Sequence, residues 1–159
     1  MCKRCRFPKS DFLRTGWKLY AFGKSPFNAA FAYTLAHAIN GAYPDYQINP
    51  SKVLVSRGHL APPLNAQAIP IDGSIDFLRD DNSGNGSAKQ TDKALVAIIN
   101  QSKGQAITDV AGADRMTASQ SLAMPSDWID DEVNVYLGFI SEDGSEISNS
   151  VYLGAITVA

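Results

Sequence analysis

Apolar residues change their spacing part-way along this chain. Between Pro26 and Asn40 they recur every four residues, so Phe27, Phe31, Leu35 and Ile39 fall on one stripe with Ala30 and Ala38 beside it. That period predicts a helix over Pro26–Asn40. Ser25 is a good N-cap, Pro26 suits the first helical position, and Gly41 suits the position just past the end. The Ala-rich flank would let this helix lie close against a neighbour. A second helix is expected over Asp11–Phe22 after Ser10, carrying Phe12, Leu13, Trp17 and Tyr20, with Gly16 weakening it.

From Lys52 onward the helical period is gone, and short β-like runs alternate with turn residues. Expected strands cover Lys52–Ser56, Gln67–Ile71 and Ser74–Leu78, the last two joined by Asp72-Gly73, a strong hairpin signal. Ala94–Asn100 is a continuous apolar run, as expected of a strand buried on both faces. Ala106–Val110 and Met116–Leu122 are weaker. Val133, Val135, Leu137 and Phe139 alternate with Asn134, Tyr136 and Gly138, a half-buried pattern, and Ile147–Val158 follows after a turn at Gly144. The long connection Arg79–Lys93 is rich in Asp, Asn, Gly and Ser and reads as an exposed loop.

Six to eight short strands without intervening helices predict a mainly β fold. The expected architecture is an antiparallel immunoglobulin- or fibronectin type III-like β-sandwich with one or two N-terminal α-helices. Residues 1–46 form a basic tail and helical lead-in, and residues 47–159 the sandwich domain. At 159 residues, 45% apolar and 19% charged, the chain can bury a core without disulfides or metals.

Charge adds one asymmetry. Residues 1–24 hold seven basic side chains against the single acid Asp11, while the remainder carries an excess of acids. No nucleic-acid-reading motif accompanies the basic start, which therefore reads as a solvated tail or one resting on the acidic body. Cys2 and Cys5 form a C-x-x-C without a second ligand pair, and no strand precedes them as in a redox motif. No apolar run reaches the ~18 residues of a membrane span, and Asp11, Arg14 and Lys18 interrupt any secretory stretch. No export signal or transmembrane segment is therefore expected.

The stretch from Pro26 to Val158 resembles an uncharacterised bacterial domain family of unknown function common in Bacteroidota. The likeness rests on F-N-A-A at Phe27–Ala30, Y-x-L at Tyr33–Leu35, Y-P-D-Y at Tyr43–Tyr46 and K-V-L-V-S-R-G at Lys52–Gly58. It continues with D-D-N-S-G at Asp80–Gly84, D-K-A at Asp92–Ala94 and S-N-S-V-Y at Ser148–Tyr152. The resemblance implies no activity. Members of that family typically begin with a Gly-rich segment, which here gives way to the Cys- and Arg-containing opening, as expected of a shortened member.

Catalytic signatures do not converge. His37 falls on the predicted helix and His59 beside Arg57-Gly58 in a turn, and neither G-x-S-x-G nor a phosphate-binding glycine loop is present. The adjacent acids Asp80-Asp81 read as a solvated loop and Asp130–Glu132 as a turn before the strand at Val133. The expectation is a non-enzymatic protein-binding or assembly module, without a required cofactor. Its contact face would be Phe27, Phe31, Leu35 and Ile39, and its partner an unidentified protein or a second copy. An alternative from another class is calcium or carbohydrate binding through the 79–93 loop. Asp81, Ser83, Asn85, Gly86 and Asp92 follow a calcium-loop spacing, although Asx-rich loops use the same residues to cap their own turns. Trp128, Tyr136 and Tyr152 would then line a sugar platform, against their more ordinary use in packing.

Overall fold

The computed structural model describes residues 10–159. The Cys2/Cys5 pair and the basic residues Lys3, Arg4, Arg6 and Lys9 lie outside the described residues.

Helix α1 (Ser10–Gly16) is shorter than the expected Asp11–Phe22. Gly16 ends it where another segment presses close: a Cβ there would lie 2.6 Å from the Val55 carbonyl oxygen. The chain continues through a 3-10 turn at Lys18–Tyr20. Helix α2 (Pro26–His37) starts where the capping residues place it, with Ser25 Oγ accepting from the Asn28 N–H at 3.2 Å. It stops before Asn40, because the next residues enter a small ribbon of β1 (Ile39–Asn40) and β2 (Gln47–Ile48). The buried face of α2 is its small one, centred on Ala30 and Thr34, with Ala30 packed in a cluster with Leu13 and Trp17. Small side chains allow that close approach. Phe27, Phe31 and Leu35 are left 40%, 37% and 52% exposed, while Ile39 is half-buried in β1.

The remaining strands are β3 (Leu64–Ile71), β4 (Ser74–Asp80), β5 (Lys93–Asn100), β6 (Gln105–Asp109), β7 (Ser119–Ala123), β8 (Glu132–Ile140) and β9 (Val151–Thr157). They form two antiparallel sheets, of order β3-β4-β7 and β6-β5-β8-β9. The Asp72-Gly73 hairpin forms with Ile71 opposite Ser74, and Gly73 takes the left-handed conformation at φ 69°. The fold is mainly β with two helices, as the alternation of periods predicts.

One core lies between the sheets. Ile75 and Phe77 of β4 meet Ala94, Val96 and Ile98 of β5 and Val133, Val135, Leu137 and Phe139 of β8. A second core covers the other face of the four-stranded sheet, where Phe12, Ala38, Val53 and Val55 pack on Leu95, Ala97 and Tyr136. This second layer makes β5 buried on both faces, as its unbroken apolar run requires. It also overturns the half-buried reading of β8. Tyr136 is buried because the helical lead-in and the segment after it lie over it, and Asn134 is buried too, accepting from the Tyr152 hydroxyl.

Three expected strand boundaries change. Lys52–Ser56 is not a strand: Pro50–Lys52 is a 3-10 turn, and the extended residues after it are held mainly by side-chain hydroxyls. Arg115–Thr117 is another 3-10 turn, capped by Ala118 at φ 58°, so β7 starts at Ser119 rather than Met116. Residues 147–150 precede β9 as an irregular segment with isolated bridges to Ile140 and Leu60.

Candidate functional site

Two of the motifs noted in the sequence, V-S-R-G and S-N-S, are about ninety residues apart yet interlock in space. Ser150 Oγ accepts from the Val55 N–H at 3.0 Å, and Ser56 Oγ donates to the Ser148 carbonyl at 3.0 Å. Ser148 Oγ in turn accepts from the Phe139 N–H at 2.8 Å, and Asn149 Oδ1 accepts from the Gly58 N–H at 3.1 Å. Backbone bonds from Leu60 to Ile147 and from Ser150 to Ser56 complete the seam. The serines act as short hydrogen-bonding spacers where a regular ladder is absent, so buried backbone groups stay satisfied. Gly58 and Gly138 permit the contact: a Cβ on Gly58 would lie 1.8 Å from the Ile147 carbonyl oxygen, and one on Gly138 2.8 Å from Ser56 Oγ.

The seam fixes the backbone at Arg57, whose N–H also donates to the Gly16 carbonyl at 2.9 Å. Its guanidinium carbon lies 4.4 Å from the centre of the Tyr20 ring, 5.2 Å from Tyr33 and 5.8 Å from Trp17. Three elements supply this wall: Trp17 at the end of α1, Tyr20 in the 3-10 turn, and Tyr33 in α2. Trp17 is anchored by its own Nε1–H, donated to the Leu54 carbonyl at 3.1 Å. The Tyr20 hydroxyl and His59 Nε2 share a 2.7 Å hydrogen bond. His37 stacks on Tyr33 at 4.2 Å between ring centroids and bonds to the Tyr33 carbonyl through Nδ1. Both histidines, which sequence reasoning set aside as a helix-surface residue and a turn residue, thus border one aromatic and cationic cluster. The R-G step was visible as a motif, but no spacing rule points from Arg57 to rings contributed by residues 17–33.

The residues of the 79–93 loop are placed differently. Asp81 Oδ1 accepts from the Ser83 N–H at 3.0 Å and from the Ser83 hydroxyl, a self-capped turn that holds its carboxyl below the ordinary range. Asn85 is exposed and hydrogen-bonds within the loop through its backbone. Asp92 turns inward and is fully buried, bonded to the Lys89 N–H at 2.8 Å and ion-paired with Arg115 at 3.0 Å. These contacts all fall on Oδ2, and Asp92 Oδ1 is buried without a hydrogen-bond partner. Among the described residues no group of three or more His, Cys, Asp or Glu side chains is placed to hold a metal ion.

Arg115 carries no signature in the sequence, yet it is a hub. It is fully buried, donates to Asp92, to Asn82 Oδ1 at 2.6 Å and to the Ala61 carbonyl at 2.9 Å, and lies 3.8 Å over the Phe139 ring. Burial pulls its guanidinium below the ordinary value, and Asp92 opposes that shift. Trp128 and Tyr136 are also buried, with Trp128 Nε1–H donating to Gln105 and the Tyr136 hydroxyl to the Pro50 carbonyl. With Tyr152 bonded to Asn134 Oδ1, they pack the fold instead of forming an open platform.

The interlocked seam and the aromatic wall draw on residues from α1 to the end of the chain. A model of a family of unknown function, DUF6266, matches residues 3–154. The chain belongs to that family. No curated protein matches it. The DUF6266 match takes in both helices and every strand except the last three residues of β9. Among the described residues, no helix is long and apolar enough to cross a membrane.

Proposed function

We propose that this DUF6266 chain is a non-enzymatic assembly module that pairs with a second copy of itself through the outer face of α2. One observation carries the reading: Leu35 is 52% exposed on a twelve-residue helix that contains no Asp, Glu, Lys or Arg. An outer helix face without charge gains nothing from a charged partner and matches an equally uncharged one. Ala32 and Ala36, both exposed, flank Leu35 with small side chains. Large and small residues alternating on one face are self-complementary across a two-fold axis, where each Leu35 can seat beside the partner's alanines.

The strand order, three strands facing four in antiparallel sheets, supports reading the body as a fibronectin type III-like sandwich. That kinship concerns architecture and assigns no activity. The edge strands β3 and β9 are poor docking sites by comparison. β3 carries Pro70 and a register break between Leu64 and Gln67, and β9 has its own break opposite Val135/Tyr136. Irregular edges of this kind resist strand addition.

Size-exclusion chromatography with light scattering tests the proposal. The wild-type chain should show dimer mass at tens of micromolar, and Leu35→Glu should be monomeric with an unchanged melting temperature. A wild-type chain that stays monomeric at every concentration overturns it.

A further inference from the structure

The Arg57 cluster has a chemistry that α2's outer face does not use. Arg57 is half-buried, and its guanidinium is turned toward three aromatic rings. Among the described residues no carboxylate pairs with it and no acceptor receives its side-chain N–H groups. Arg115 by contrast is paired with Asp92, while Arg79 donates through Nη2 to the carbonyls of Ala113 and Asp114 and keeps Nε and Nη1 buried without an acceptor. Ring faces stabilise a cation and orient it, yet they consume none of its in-plane donors. The result is a partly dehydrated, positioned guanidinium with its donors unspent. His59 stands on the same phenol ring, tied through Nε2, which leaves its other ring nitrogen for a further hydrogen bond. The backbone under both residues is held by the Ser56–Ser148 seam and by Gly58.

We propose that Arg57 and His59 form a receptor for an oxyanion, a carboxylate or phosphate group of a ligand that meets the guanidinium beside the Tyr20 ring. A guanidinium fork matches either group with two parallel N–H···O bonds. The site does not depend on self-association through α2.

Side-chain NMR of the full chain provides the test. The probes are inorganic phosphate and acetate, titrated separately at ionic strength held constant with sodium chloride. Saturable shifts are expected at the Arg57 Nε–H and the His59 Cε1–H. Read on His59, Arg57→Gln should weaken the binding about tenfold or more, as loss of a charge-assisted hydrogen bond implies. Leu35→Glu should leave it unchanged, which separates this site from the assembly reading. Saturation by phosphate alone assigns a phosphate ligand, and saturation by acetate as well admits a carboxylate. Should Arg57→Gln fail to fold, His59→Gln at an exposed position keeps the Arg57 resonance as the readout and should weaken binding. Shifts that only drift linearly, or that persist at equal affinity in the folded variants, overturn the proposal.

Discussion

Arg115 shows how much one buried side chain can organise. Its guanidinium binds Asp92 and Asn82 from the two ends of the 79–93 loop and Ala61 from the segment before β3, so it ties both stretches to the Phe139 ring. A buried pair of this kind is a modest net stabiliser, but removing one partner leaves the other charge stranded. Arg115→Met should therefore cost about 3–5 kcal/mol, measured by urea denaturation. A loss below ~1 kcal/mol would mean that the apolar replacement compensates, as it does for some buried pairs replaced whole. The loop is pinned from beneath by the same contact, which explains why Asp92, an apparent ligand by spacing, faces inward.

At the scale of elements, the unusual feature is a joint made without a regular strand. Residues 53–60 and 147–150 lie side by side through serine hydroxyls and one Asn side chain, and Gly58 touches the Ile147 carbonyl so closely that no side chain fits. Gly58→Ala should destabilise the protein by about 1–3 kcal/mol or more, the range for overpacking a tight contact. Hydrogen exchange would localise the effect, with protection lost first at the Val55, Gly58 and Leu60 amides. Uniform loss over all strands would instead make the seam part of the single cooperative unit. The pattern V-L-V-S looked like a strand because Val53 and Val55 alternate inward, which they do, but the Val53 N–H donates to the Pro50 carbonyl of the 3-10 turn and the Val55 N–H to the Ser150 hydroxyl.

At the scale of the whole molecule, surface electrostatics set the pH range. Lys103 and then Asn100 hold Asp131 below the ordinary aspartate range, and hydrogen bonds from Ser141 and Ser145 do the same for Asp143. A carboxyl depressed in the folded state adds stability above its unfolded value, and that stability is lost as pH falls through the folded value. Lys103 and Lys93, raised by Asp131 and Asp114, work in the opposite sense: their contribution is present below the unfolded lysine value and lost at high alkaline pH. The melting temperature should accordingly be level from about pH 5 to pH 9 and fall below ~pH 4. Asp131→Asn should flatten part of the acid limb in scans followed by circular dichroism. An unchanged melting temperature at pH 2.5 would contradict the assignment.

The fold class, the capped start of α2, the Asp72-Gly73 hairpin and the double burial of β5 follow from the sequence, because each depends on residues near one another in the chain. Period, caps and turn residues act locally. The cradle around Arg57, the Arg115–Asp92 pair and the Ser56–Ser148 seam are decided only by tertiary structure. Their partners are separated by 23 to 92 residues, and no local pattern encodes which distant backbone or ring will meet them. The covered face of β8 belongs to the same class. Tyr136 reads as solvent-facing in its own strand, and it is buried because Phe12, Val53 and Val55 come over it from far earlier in the chain.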